Sequence, residues 1–146
     1  MTTIATDGRS MAGDSQMTGG SQVLRFSPKV SRLADGRIVG ACGPTTECIK
    51  LVRWISEGGD KPELSDEVCA IILNADGTVD WLDHKLETIS GNLVPYAIGS
   101  GGDLALGAML AGASPAQAVA YAASRDVHTG GEITVLAIEP QIKAAA

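Results

Sequence analysis

Three Asp-Gly pairs, Asp7-Gly8, Asp35-Gly36 and Asp76-Gly77, each stand between two short runs of strand character. Asp-Gly readily takes the positive φ of a tight turn, so each pair predicts an antiparallel hairpin. The flanking runs are residues 2–6 with 10–14, 29–33 with 38–42, and 68–73 with 79–82. Residues 38–42 are almost continuously apolar, the pattern of a strand covered on both faces. Residues 22–26 alternate until Ser27-Pro28, and they are expected to join the strands at 29–33 and 38–42 in one meander. Pro95 confines residues 93–98 to an edge or irregular strand. Residues 133–138 read as a last buried strand.

Helical signals are grouped apart from these strands. Pro44 sits near a first turn, and Cys48, Leu51, Val52 and Ile55 follow at helical spacing until Gly58-Gly59, which predicts a helix over 44–57. Residues 60–67 are a polar connector. Helices are expected at 103–110 and, after the Ser114-Pro115 cap, at 116–124. Helices segregated from strands favour an α+β fold with antiparallel sheets, read here as a four-layer α-β-β-α sandwich. At 146 residues the chain has length for one domain, with a core over 2–139 and a tail over 140–146.

Apolar residues make up 45% of the chain but aromatic ones only 3%, so its core is built from small aliphatic side chains. Eleven basic against seventeen acidic residues give a net charge of −6 with no Lys/Arg cluster. Nucleic acid and anionic membranes are thus poor partners. Cys42, Cys48 and Cys69 lack C-x-x-C spacing and the two histidines are isolated, so neither a zinc site nor a disulfide framework is expected; the thiols read as buried and reduced. No cofactor is expected. No apolar run reaches the roughly 18 residues of a membrane span, and no secretory leader is read at the N-terminus, so a soluble, cytoplasmic protein is expected.

The chemistry centres on Thr2. Removal of Met1 would give this residue both a hydroxyl nucleophile and a free α-amine, whose unperturbed pKa of roughly 8 suits a base at neutral pH. Other residues allow more than one reading. Asp14 could accept turn N–H groups, Lys29 could run along the sheet to water, Ser100 could cap a helix, and Asp126 and Thr129 could cap a helix end and a turn. Residues 99–102 are glycine-rich but fit neither phosphate-loop pattern.

Five stretches taken together resemble one family. Thr2-Thr3-Ile4, Ala12-Gly13-Asp14-Ser15-Gln16, Lys29-Val30-Ser31-Arg32-Leu33, Ala97 to Gly102, and Arg125-Asp126 through Thr129-Gly130-Gly131 are similar to proteasome-type threonine peptidases of the HslV kind, N-terminal-nucleophile hydrolases, in order and spacing. The resemblance implies that Thr2 is the nucleophile, that Asp14 holds the active-site lysine Lys29, and that the N–H of Gly43 stabilises the oxyanion. It places Ser100, Asp126 and Thr129 around the terminal amine, and Thr18 and Gly43 beside a groove that pairs with an extended peptide. Thr129 stands where a serine is usual, and Pro44 where a small residue is.

The implied activity is threonine-type endopeptidase, acting on peptides or unfolded proteins inside a homo-oligomer, with an ATP-dependent unfoldase as a possible partner. Another N-terminal-nucleophile amidase and a catalytically silent assembly protein are the alternatives. The chain is short for the family. Where a second long helix is common it has only the connector at 60–67, which is expected to leave part of a sheet uncovered.

Overall fold

The computed structural model describes residues 1–139. The expected tail over 140–146 lies outside the described residues. In chain order the elements are β1 (Thr3–Thr6), β2 (Ser10–Gly13), β3 (Gln16–Gly19), β4 (Gln22–Phe26), β5 (Val30–Arg32) and β6 (Ile38–Cys42). Then follow α1 (Thr45–Glu57), β7 (Cys69–Leu73), β8 (Val79–Asp83), β9 (Ile89–Gly91), β10 (Tyr96–Gly99), α2 (Gly102–Leu110), α3 (Pro115–Ala123) and β11 (Thr134–Ala137).

Two antiparallel sheets face each other. One has the order β10-β1-β2-β11 and the other β5-β6-β7-β8-β9. Between them Ile4, Met11, Val30, Ile38, Ile71 and Ile98 form the inter-sheet core. The alternation of strand side chains sends Ala5 and Ala12 to the opposite face, where they meet Ala105, Ala118 and Ala122 of α2 and α3. Alanines on both partners let these helices lie close to the sheet. On the outer face of the second sheet Val39, Ala70, Ile72 and Leu82 pack under α1, whose Leu51 is fully buried. The layers therefore run α2/α3, sheet, sheet, α1, as the segregated helical signals predict.

The hairpin turns form as the Asp-Gly pairs predict. Asp7 Oδ1 accepts from the N–H groups of Arg9 and Ser10, each at 2.9 Å, and Gly8 takes φ +86°. The helix ends also follow their signals. Ser114 and Gln117 form a reciprocal capping box with Pro115 in the first turn, and Gly58 at φ +71° stops α1.

Three readings change. β4 pairs with β3, which the sequence did not reveal, in a separate two-stranded ribbon rather than in a meander with β5. The last strand, β11, is an edge whose residues alternate between half-buried and exposed, because among the described residues no strand pairs with its far side. The uncovered part of the sheet is smaller than expected: Leu64 of the connector and Leu86, after β8, complete the layer beneath α1, and Ile72 and Leu82 stay buried, whereas the edge strand β9 is exposed. The thiols are free, with Cys42 buried and Cys48 and Cys69 half-buried.

Candidate active site

β1 and β2 carry the N-terminal residues and Asp14 to one end of their sheet. Asp14 follows β2 and is fully buried. Its Oδ1 accepts from the Thr3 N–H at 3.0 Å, and its Oδ2 accepts from the N–H groups of Gly130 at 3.1 Å and Gln16 at 3.3 Å. Lys29, just before β5 on the other sheet, donates from Nζ to both oxygens at 3.0 and 2.9 Å. Only 8% of the Lys29 side chain is exposed, so this is a buried ion pair rather than a lysine running out to water. Burial pulls the Lys29 ammonium below its ordinary value, while the Asp14 carboxylate pulls it back up.

Lys29 Nζ also donates to the Met1 carbonyl at 2.8 Å. The cation thus lies beside the peptide bond joining Met1 to Thr2. Thr2 itself is buried. Gly99, at φ +97°, runs so close to it that a Cβ there would overlap the Thr2 carbonyl. Only glycine permits this approach.

A second polar chain lies on the other side of Thr2. Ser100 Oγ donates to Asp126 Oδ2 at 2.6 Å and lies 3.4 Å from the Thr2 carbonyl. Thr129 Oγ1 donates to the same carboxylate oxygen at 2.6 Å. Having spent its one proton there, Thr129 must accept from Thr3 Oγ1, 2.7 Å away. Burial pushes the Asp126 carboxyl up, but bonds from Ser100, Thr129 and the His128 N–H together hold it below its ordinary value. Ser100 does not cap α2, whose N-terminus has no side-chain cap.

Of these groups, Thr2 and Lys29 open on a cleft of about 440 Å³ between β5 and α1. Gly43, Thr18, Leu33, Ala41 and Val52 line it with them. Gly43 takes φ +127°.

No family model matches the chain, and no curated protein matches it. Solved structures do. Thiobacillus denitrificans BPH superposes with a TM-score of 0.71 at 20% identity, covering 96% of this chain and 99% of that one. Eukaryotic HslV from Trypanosoma brucei superposes with a TM-score of 0.69 at 21% identity, covering 95% and 99%. The fold is of the HslV, proteasome-subunit type. BPH in complex with epoxomicin matches similarly, with a TM-score of 0.69 at 19% identity over 95% and 99%.

Within this HslV-type fold, Thr2, Asp14, Lys29, Ser100, Asp126 and Thr129 converge on one end of the sandwich, and Gly43 and Thr18 border the same cleft. Sequence reading missed Thr3 as the link between the two polar chains. A signal existed, since a polar residue in phase with Ala5 on a buried strand requires partners. It also missed Ala41 and Val52 in the cleft, because small and aliphatic residues in a core strand and a helix carry no mark of a binding wall.

Proposed function

We propose that this chain is a threonine-type endopeptidase whose nucleophile is Thr2 Oγ1 after removal of Met1. The observation that carries this reading is the position of Lys29, held by buried Asp14 and donating to the Met1 carbonyl. Loss of Met1 removes that carbonyl and leaves the ammonium next to a residue bearing both hydroxyl and amine. The Thr2 α-amine then accepts the hydroxyl proton, and the Lys29 charge stabilises the alkoxide as it attacks the scissile carbonyl. The N–H of Gly43 donates to the developing oxyanion, an interaction whose loss in acyl-transfer enzymes costs about 3 kcal/mol. Ser100, Asp126 and Thr129 orient the amine through their hydrogen-bonded chain. The protonated amine next gives its proton to the leaving nitrogen, and water hydrolyses the acyl-threonine ester.

The cleft supports a peptide occupant, with Thr18 and Gly43 flanking the extended backbone. Among the described residues the β3–β4 ribbon pairs with no other strand, and it exposes Val23, Leu24 and Phe26, which supports burial between copies in a homo-oligomer. We place this oligomer in the cytoplasm; among the described residues no helix is long and apolar enough to cross a membrane. An ATP-dependent unfoldase would supply unfolded protein to such a chamber.

The test is intact mass after expression in cells with normal methionine removal, before and after incubation with a peptide epoxyketone. The expected result is a chain lacking Met1 that gains one inhibitor, with no adduct on Thr2→Ala. A chain lacking Met1 that gains none, and cleaves no peptide, would overturn the reading in favour of a silent assembly protein. Cleavage of small amides but not peptides would instead favour another amidase of the same chemistry.

A further inference from the structure

Cys42 ends β6 and Cys69 begins β7, and the two stand directly opposite each other in the antiparallel pairing. Their sulfurs are 3.2 Å apart. Directly opposed antiparallel residues hold their Cα atoms about 4.5 to 5.5 Å apart, inside the roughly 4.4 to 6.8 Å that a disulfide spans. The backbone spacing therefore falls inside the span a disulfide allows, and closing the sulfurs to about 2.05 Å needs only a small approach of the two strand ends. One thiol hydrogen-bonds the other, which drives Cys69 down and Cys42 up, so Cys69 is the nucleophilic member. It is also the more exposed of the two, being half-buried where Cys42 is buried. The third thiol is a weaker competitor, since burial, and after it the neighbouring Cys69, push Cys48 up to about 11.

The position of this pair matters because Gly43 follows Cys42. A Cβ on Gly43 would lie 2.7 Å from the Glu67 carbonyl oxygen and 2.9 Å from Val68 Cα. The backbone that carries the Gly43 N–H is thus pressed against the segment leading into Cys69. With no room beside Glu67 and Val68, the Gly43 peptide is the part of this backbone that feels any approach of the two strand ends.

We propose that Cys42 and Cys69 are a modification site for small-molecule disulfides of the glutathione class, and that the disulfide they form misaligns the Gly43 N–H and slows acyl transfer. The Cys69 thiolate attacks the small disulfide, forming a mixed disulfide and releasing one small thiolate. Cys42 gives up its proton and its thiolate attacks the Cys69 sulfur, releasing the second. Two protein thiols are oxidised, the small disulfide is reduced by two electrons to two thiols, and the two protons end on those thiols. The effect on rate rests on the peptidase reading given above; formation of the disulfide does not.

The full chain, with Met1 removed, is incubated with oxidised glutathione, and its remaining thiols are alkylated. Intact mass and peptide mapping locate any bond, and epoxyketone adduct formation reports the site. The expected product is lighter by two hydrogens, keeps one alkylated thiol at Cys48, and links Cys42 to Cys69. Cys48→Ala should form the same bond; Cys42→Ala and Cys69→Ala should not. Adduct formation should slow by about tenfold or more on oxidation and recover with dithiothreitol, since loss of one oxyanion donor is worth roughly a hundredfold or more. Stable glutathione adducts, a link through Cys48, or three unreacted thiols would overturn the site. A Cys42–Cys69 bond with an unchanged rate would overturn the control of Gly43. If the reduced chain forms no adduct at all, the peptidase reading fails, while the mapped bond still decides the modification site.

Discussion

Replacing Asp14 by Asn tests whether the buried pair with Lys29 organises the site, and it does so without any assay of activity. The carboxylate accepts from the Thr3 N–H and Lys29 on Oδ1, and from the Gly130 N–H, the Gln16 N–H and Lys29 on Oδ2. An amide has one oxygen. If that oxygen takes the Oδ2 position, the NH₂ group faces the Thr3 N–H; if it takes the Oδ1 position, both the Gly130 and Gln16 N–H groups lose their acceptor. Lys29 is left as a buried cation without an anion in either case. Breaking a buried pair from one side costs about 3 to 5 kcal/mol. Against a total stability of about 5 to 15 kcal/mol, the variant should fold but melt about 6 to 20 °C lower. Lys29→Met should cost less, because Asp14 keeps three backbone N–H donors. The double variant should lose less than the sum of the two, and urea denaturation of all four proteins measures the coupling. An Asp14→Asn loss below about 1 kcal/mol, or strict additivity, would refute the argument.

Other outcomes follow from the same geometry. The Lys29 value in the folded chain lies below 10.5, so the ammonium on which the proposed mechanism relies is lost as pH rises through that lowered value; epoxyketone adduct formation should show an alkaline limb, which Lys29→Arg abolishes while lowering the rate. Between the folded and unfolded values the unfolded chain holds more protons, so stability should rise with pH across that window, as denaturation at several alkaline pH values would show. Gly99→Ala forces a side chain onto the Thr2 carbonyl at φ +97°, a strain of about 1 to 3 kcal/mol that displaces the nucleophile; adduct formation should fall about a hundredfold. Ser114→Ala removes the capping box of α3, whose Ser114 and Gln117 are not among the residues lining the cleft. Its melting temperature should drop about 2 to 4 °C, for about 1 kcal/mol, with the adduct rate unchanged.

Features written in local chemistry were legible in the sequence. Asp-Gly turns, the Ser114-Pro115 cap and the Gly58 stop each need only a few neighbouring residues, and each forms as its residues require. The β3–β4 ribbon was not legible, because Met17, Thr18 and Gly19 show no alternation and a shift in pairing register falls between Met17 and Thr18. Coverage of the sheet below α1 was misjudged for a related reason. Leu64 lies in a polar stretch and Leu86 is at φ +62° outside any strand, so neither carries a periodic signal, yet both complete the outer core. For the site, resemblance brought together residues that no local pattern connects. Asp14 and Lys29 are fifteen positions apart and on different sheets, and Ser100 reaches Asp126 only because α2 and α3 fold back over the first sheet.

This division between sheets explains why the small residues of the core matter to the chemistry. Thr2, Asp14 and Ser100 adjoin strands of the first sheet, whereas Lys29 and Gly43 adjoin strands of the second. The separation between Thr2 and Lys29 is therefore set by how closely the sheets approach. At this end they approach through glycine. Across the gap, a Cβ on Gly13 would lie 3.0 Å from Val30 Cγ1 and one on Gly40 would lie 2.7 Å from Ile4 Cγ2; within the first sheet the same Gly13 Cβ would lie 2.8 Å from Cδ1 of its strand partner Ile4. Ile4 is fully buried and its neighbours are packed on every side, so it cannot yield without moving a strand. Extra volume here would be relieved by parting the sheets, and Lys29 would then reach Asp14 or Thr2 but not both. Gly13 and Gly40 thus help to set how near Lys29 lies to Thr2.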